Sequence, residues 1–156
     1  MIENGANIAD RNGKGDQAIH LAAEFGNLSV LQFLIEQGLR SPEGIIFVDS
    51  RDGNGNTPLH LSARSAHLKV LTFLLERGSN IDAINDDGFT PIHLAAKFGH
   101  ASVGRYLAES GADLNIIPGN DELVQQPATI DIIRNALSFF PTYPKGFESR
   151  QIYSFR

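Results

Sequence analysis

The sequence predicts an all-α solenoid of stacked helix-turn-helix units, joined by hairpin loops and closed by an atypical C-terminal capping repeat. Three observations predict it. A nine-residue segment recurs at Gly15–Ala23, Gly55–Ala63 and Gly88–Ala96, with starts 40 and 33 residues apart. A second segment follows each copy, as Val30 to Gly38, Val70 to Gly78 and Val103 to Gly111. Within it the apolar residues, such as Val70, Leu71, Phe73, Leu74 and Leu75, lie near helical period. One such helix pair cannot bury its apolar face alone, so stacking must do it.

Taken in order, residues 1–8 read as the end of a partial repeat, because Met1-Ile2-Glu3-Asn4-Gly5 lines up with Leu74-Leu75-Glu76-Arg77-Gly78. The chain thus opens inside a repeat. Repeats 9–49, 50–82 and 83–115 follow, and residues 1–140 form one repeat domain. In the two later repeats Thr57 and Thr90 are N-caps, and Pro58 and Pro91 take the first helical position, where a missing N–H costs nothing. The small pairs Ala22-Ala23, Ser62-Ala63 and Ala95-Ala96 let a neighbouring helix approach closely. Gly26 and Gly99 supply the left-handed residue that ends the first helix, and Gly38, Gly78 and Gly111 stop the second. The polar stretch Ser79 to Asp87 is a turn or hairpin between repeats.

Repeat 9–49 carries seven extra residues between Gly38 and Gly55. Pro42 and Gly44 punctuate a turn, and Ile45, Ile46, Phe47 and Val48 are a β-branched and aromatic run. It is either a lengthened finger or a longer second helix followed by a short strand. Ile45, Ile46 and Phe47 pack on their own repeat or contact a partner. Beyond Asn115 the motif fades. Residues 116–140 read as the capping repeat, with Thr129 as the N-cap of a helix whose Ile130, Ile133 and Leu137 share a face. Residues 141–156 hold three Pro or Gly and four aromatics, a tail expected to lie on the cap or on a partner.

The two-part signature at fixed period resembles the ankyrin repeat, with its 33-residue period and T-P-L-H-x-A motif, over residues 1 to 115. Two departures stand out. Gln17-Ala18 replaces Thr-Pro, so the first full repeat lacks the usual cap, and Ala66 replaces the helix-ending Gly. The resemblance implies a protein–protein interaction module within a larger intracellular, cytoplasmic protein, with delivery into a host cell a further option. The alternatives are a structural spacer, or an intramolecular regulatory segment of an enzyme, channel or bacterial effector. It also implies that His20, His60 and His93 bond to the adjacent cap residue and to loop backbone, a structural role shared with Thr57 and Thr90. Leu107-x5-Asp113-Leu114-Asn115 resembles the setting in which ankyrin asparagines are hydroxylated in animal cells, although the same residues serve folding.

Several function classes are disfavoured. A net charge of -5, with no Lys/Arg run longer than two, opposes a nucleic-acid partner, since phosphate neutralisation needs clustered cations. With no Cys, thiolate metal sites and disulfides are impossible. No stretch approaches the roughly 20 apolar residues of a membrane span, and the N-terminus has no signal-peptide character. Equivalent histidines in stacked helices sit roughly 8–10 Å apart, too far to share one metal ion. No nucleophile elbow, zincin or phosphate-loop motif occurs, so no catalytic residue, cofactor or metal is expected. The expected species is a monomer that binds a protein.

Where a partner would bind follows from the resemblance. The concave surface of an ankyrin array is lined by hairpin tips and by the solvent face of the first helix. By position this gives Asp16, Asn56 and Phe89 after the turn glycine, and Glu24-Phe25, Arg64-Ser65 and Lys97-Phe98 after the small pair. Phe25, Phe89 and Phe98 are the expected aromatic anchors. Glu24, Arg64 and Lys97 would set register and on-rate, and Asp86 and Asp87 would form an acidic edge.

Overall fold

The computed structural model describes residues 7–40 and 47–116, with side chains over 7–38 and 48–116. The expectations for residues 1–6, the capping repeat, the aromatic tail, and Ile45, Ile46 and the Phe47 side chain lie outside the described residues.

Each repeat is a helix pair. The first helices are α1 (Ala18–Glu24), α3 (Pro58–Arg64) and α5 (Pro91–Lys97); the second are α2 (Leu28–Arg40), α4 (Leu68–Glu76) and α6 (Ala101–Glu109). No strand occurs among the described residues. The first helices stack in a row, α1 on α3 and α3 on α5, while α2, α4 and α6 each pack on the first helix of their own repeat. The Ala22-Ala23, Ser62-Ala63 and Ala95-Ala96 pairs are buried, so the helix axes can approach closely. Leu31, Leu71, Leu74 and Leu107 fill one continuous core with Leu59 and Ile92.

The caps explain why the first helices start where they do. Thr57 is extended, at φ -83 and ψ 164, and Pro58 opens α3. The Thr57 N–H donates to Nδ1 of His60 at 3.1 Å, and the Thr57 hydroxyl lies 2.9 Å from the same nitrogen. Thr90 and His93 repeat this arrangement. Gln17 keeps part of it: its N–H donates to Nδ1 of His20 at 3.0 Å. Its side-chain Oε1, however, is buried with no partner. The cap at Gln17 is therefore present but incomplete.

Between the helices of a pair, Gly26 (φ 71) and Gly99 (φ 76) are left-handed. Ala66 adopts the same conformation at φ 61, so the turn survives the loss of its glycine at the expense of backbone strain. Gly38 does not stop its helix, contrary to the sequence reading: α2 runs on to Arg40. The second helix is thus the longer one, and no strand occurs at residues 47–49. Residues Phe47–Asp49 form a 3-10 turn against α2 and α3, with Val48 buried in the core.

The hairpins nest on one another. In each, the N–H groups at both ends of a five-residue turn are satisfied internally: Asn12 to Asp16, Asp52 to Asn56, and Asn85 to Phe89. Arg11 donates at 2.6 Å to the carbonyls of both Gly15 and Arg51, tying the first hairpin to the second. The Asp86 N–H reaches the Asn54 carbonyl at 3.1 Å, tying the second to the third. A Cβ on Gly55, already at φ 74, would run into Asp86, so the close approach requires glycine there.

Candidate protein-binding face

The histidine row sits at the base of the hairpins, beneath the face where a partner is expected. Each imidazole accepts from its own N-cap through Nδ1 and uses Nε2 for a carbonyl in the following repeat. His20 reaches Ser50 at 2.9 Å, His60 reaches Phe89 at 2.9 Å, and His93 bonds the backbone of Ile116. Both nitrogens of each ring are thereby occupied, which leaves no lone pair for a metal ion. Among the described residues no group of three His, Cys, Asp or Glu could hold one. Burial pushes the His60 and His93 pKa values down to about 4 and lowers that of His20; the backbone hydrogen bonds oppose the shift without cancelling it. These rings are neutral struts between repeats at neutral pH.

Phe25 and Phe98 sit at equivalent positions, the C-caps of α1 and α5. They are 74% and 51% exposed, the two most exposed large apolar side chains among the described residues. Ser65 holds the same position between them, at the C-cap of α3.

Phe89 corrects the sequence reading. It is only 2% exposed, its ring lies edge-on to His93 with centroids 6.5 Å apart, and Nζ of Lys97 sits 4.5 Å above it. The residue after the turn glycine points into the base of the hairpin, so a ring placed there is enclosed. Asn56 is buried for the same reason. It donates to Asp52 at 3.1 Å and accepts from Asn85 at 2.8 Å, so its polar atoms serve the hairpin stack. Neither residue offers a side chain to a partner.

The charged candidates divide. Glu24 and Arg64 pair with each other across repeats at 2.5 Å, both about one-third exposed. Such a surface pair contributes roughly 0–1 kcal/mol, but it fixes two side chains at the rim between Phe25 and Phe98. Lys97 remains exposed above Phe89, and Asp86 and Asp87 are exposed at the third hairpin tip.

Two sets of tethers escaped the sequence reading. His67 and His100 reach back to the carbonyls of Glu24 (3.0 Å) and Arg64 (2.8 Å). They thereby satisfy carbonyls at the ends of the preceding first helices, which the helices cannot satisfy themselves. Asp49 accepts from the Asn80 N–H, and Asp82 accepts from the Asp113 N–H at 2.8 Å, again across repeats. The recurrence of each pair 33 residues apart was the available signal. Asn115 is exposed, with its amide bonded to Asp113 at 3.0 Å.

Helix pairs stacked through shared histidine tethers, with nested glycine hairpins on one side, define a helical-repeat solenoid. The family model for ankyrin repeats in three copies matches residues 1–85 and 44–117, three-quarters of the chain, and the protein belongs to the ankyrin repeat family. Ankyrin repeats are generally protein–protein interaction modules, and domains built from them are typically non-catalytic. The search of curated proteins finds no match. Among the described residues no helix is long and apolar enough to cross a membrane.

Proposed function

We propose that this chain is a non-catalytic interaction module, part of a larger intracellular protein, that binds a protein partner along the concave face formed by the hairpin tips and the ends of the first helices. The observation that carries this reading is the exposure of Phe25 and Phe98, two repeats apart in the same column. Burying an aromatic ring of that size contributes about 1.5–3 kcal/mol, and such anchors dominate protein interfaces. The Glu24–Arg64 pair and Lys97 lie beside these rings and would set the partner's register, while Asp86 and Asp87 would favour a basic segment over the third hairpin.

Photo-crosslinking tests the face directly. A benzoyl-phenylalanine placed at position 25 or 98 is expected to trap the partner in cells. The same group at Lys69, exposed on α4, is expected to trap nothing. Adducts at Lys69 with none at 25 or 98 would move the interface elsewhere.

A further inference from the structure

Three residues share one structural position along the candidate face and differ in size. Phe25, Ser65 and Phe98 are the C-caps of α1, α3 and α5, with φ and ψ of -92 and 2, -100 and 6, and -94 and 5. The backbone is alike at all three, so the column varies only in what it carries: a ring, a hydroxymethyl group, a ring. α1 packs on α3 and α3 on α5, and each such step is roughly 8–10 Å. The two exposed phenylalanines are therefore carried roughly 16–20 Å apart, with a notch between them floored by the half-buried Ser65. Arg64, the long side chain beside that floor, is held by Glu24 of the preceding repeat.

What fills a notch of that width decides the kind of partner. Resting on the concave-face reading, we propose that the partner seats one α-helix in the notch, crossing the stack over Ser65 with Phe25 on one flank and Phe98 on the other. An α-helix is about 10–12 Å across with its side chains, which suits the space between two rings at that separation. An extended segment laid along the column would bridge the rings and leave the space over Ser65 empty, forfeiting dispersion contacts. Charge agrees with the helix. Asp86 and Asp87 are exposed on the hairpin side, and the Asp86 N–H bonds the Asn54 carbonyl, which sets these carboxylates beside the middle repeat. They favour the positive N-terminal end of a helix dipole, whereas an extended segment has no comparable dipole. At the opposite end the last turns of α3 and α5 carry the basic residues Arg64 and Lys97, which suit a helix C-terminus. The partner helix thus points its N-terminus at the hairpins. It carries apolar side chains on two opposite flanks, for Phe25 and Phe98, and small residues on the face turned to Ser65.

Benzoyl-phenylalanine scanned along the column in cells tests the helix. Adducts are expected at positions 25 and 98 and none at 65, where the added rings would occupy the partner's seat. Combining Ser65→Phe with the position-25 trap should cut adduct yield at least about tenfold, whereas Ser65→Ala should leave it intact. Phe25 and Phe98 already adopt the backbone of Ser65, so the Tm of Ser65→Phe should stay within about 2 °C of the parent. The partner segment recovered from the position-25 adduct, made as a peptide, should gain helical circular dichroism when the protein is added. Adducts at all three positions, or a yield that survives Ser65→Phe, would overturn the proposal. So would a peptide that binds without a helical signal. Silence at 25 and 98 alike would remove the concave-face reading and the helix with it, so the two failures are told apart.

Discussion

Repeats 9–49 and 50–82 carry the same signature and differ in nearly every device that supports it. The middle repeat has Thr57-Pro58 at its cap, two neighbours, and a second helix buried at Val70, Leu71, Phe73 and Leu74. The first has an incomplete Gln17 cap and a helix that overruns its glycine. Its Val30 and Phe33 stay exposed where Val70 and Phe73 do not. Sequence signature governs local conformation, whereas position in the stack governs burial. Stability should therefore be concentrated in the middle of the array.

The largest test of that difference is a pair of truncations. Leu74→Ala removes a fully buried side chain between two neighbours and should cost about 3–4 kcal/mol. Phe33→Ala, at a half-exposed position, should cost no more than about 1 kcal/mol in this chain. Denaturant melts measure both, and equal losses would erase the distinction.

Acid should act next most strongly, again on the middle of the stack. His60 and His93 titrate near 4 when folded and near 6.5 when unfolded, so the unfolded chain binds more protons between those values. Their contribution is complete above about pH 6.5, falls as pH drops toward 4, and amounts to on the order of 1–3 kcal/mol each. Protonation also destroys the Nδ1 acceptor that holds Thr57 and Thr90. Tm should fall steadily from pH 7 to pH 4, and His60→Asn should weaken that dependence. A pH-independent melt would contradict the neutral-strut role.

The smallest effects lie in the turns. Ala66→Gly should stabilise the middle repeat by about 0.5–1 kcal/mol by releasing left-handed strain, and Gly99→Ala should destabilise its neighbour by a similar or larger amount. Ser79→Ala, which removes a buried hydroxyl without a partner, should stabilise by about 1 kcal/mol or less.

Much of this was legible in the residues. The Thr-Pro-x-His signature located the starts of α3 and α5, and the turn glycines located most helix ends, because capping chemistry is local. Gly38 misled because a glycine ends a helix only when the chain adopts the left-handed turn there, and Gly38 stays helical within α2. Phe89 misled because its column position was assigned from a pattern, while the direction of its side chain depends on His93 and Lys97 around it. His67 and His100 were unreadable singly, since their acceptors lie 43 and 36 residues away. Phe25 and Phe98 lie off the core, as the repeat pattern placed them.

On the proposed reading, the chain binds its partner through the Phe25–Phe98 column and does not depend on that column for folding. Affinity of the crosslinked partner for Phe25→Ala/Phe98→Ala, measured by calorimetry alongside a thermal melt, addresses it directly. A Kd weakened by at least about 100-fold with Tm unchanged within about 2 °C is the predicted result. Unaltered affinity, or a weakening that merely tracks a lost fold, would contradict it.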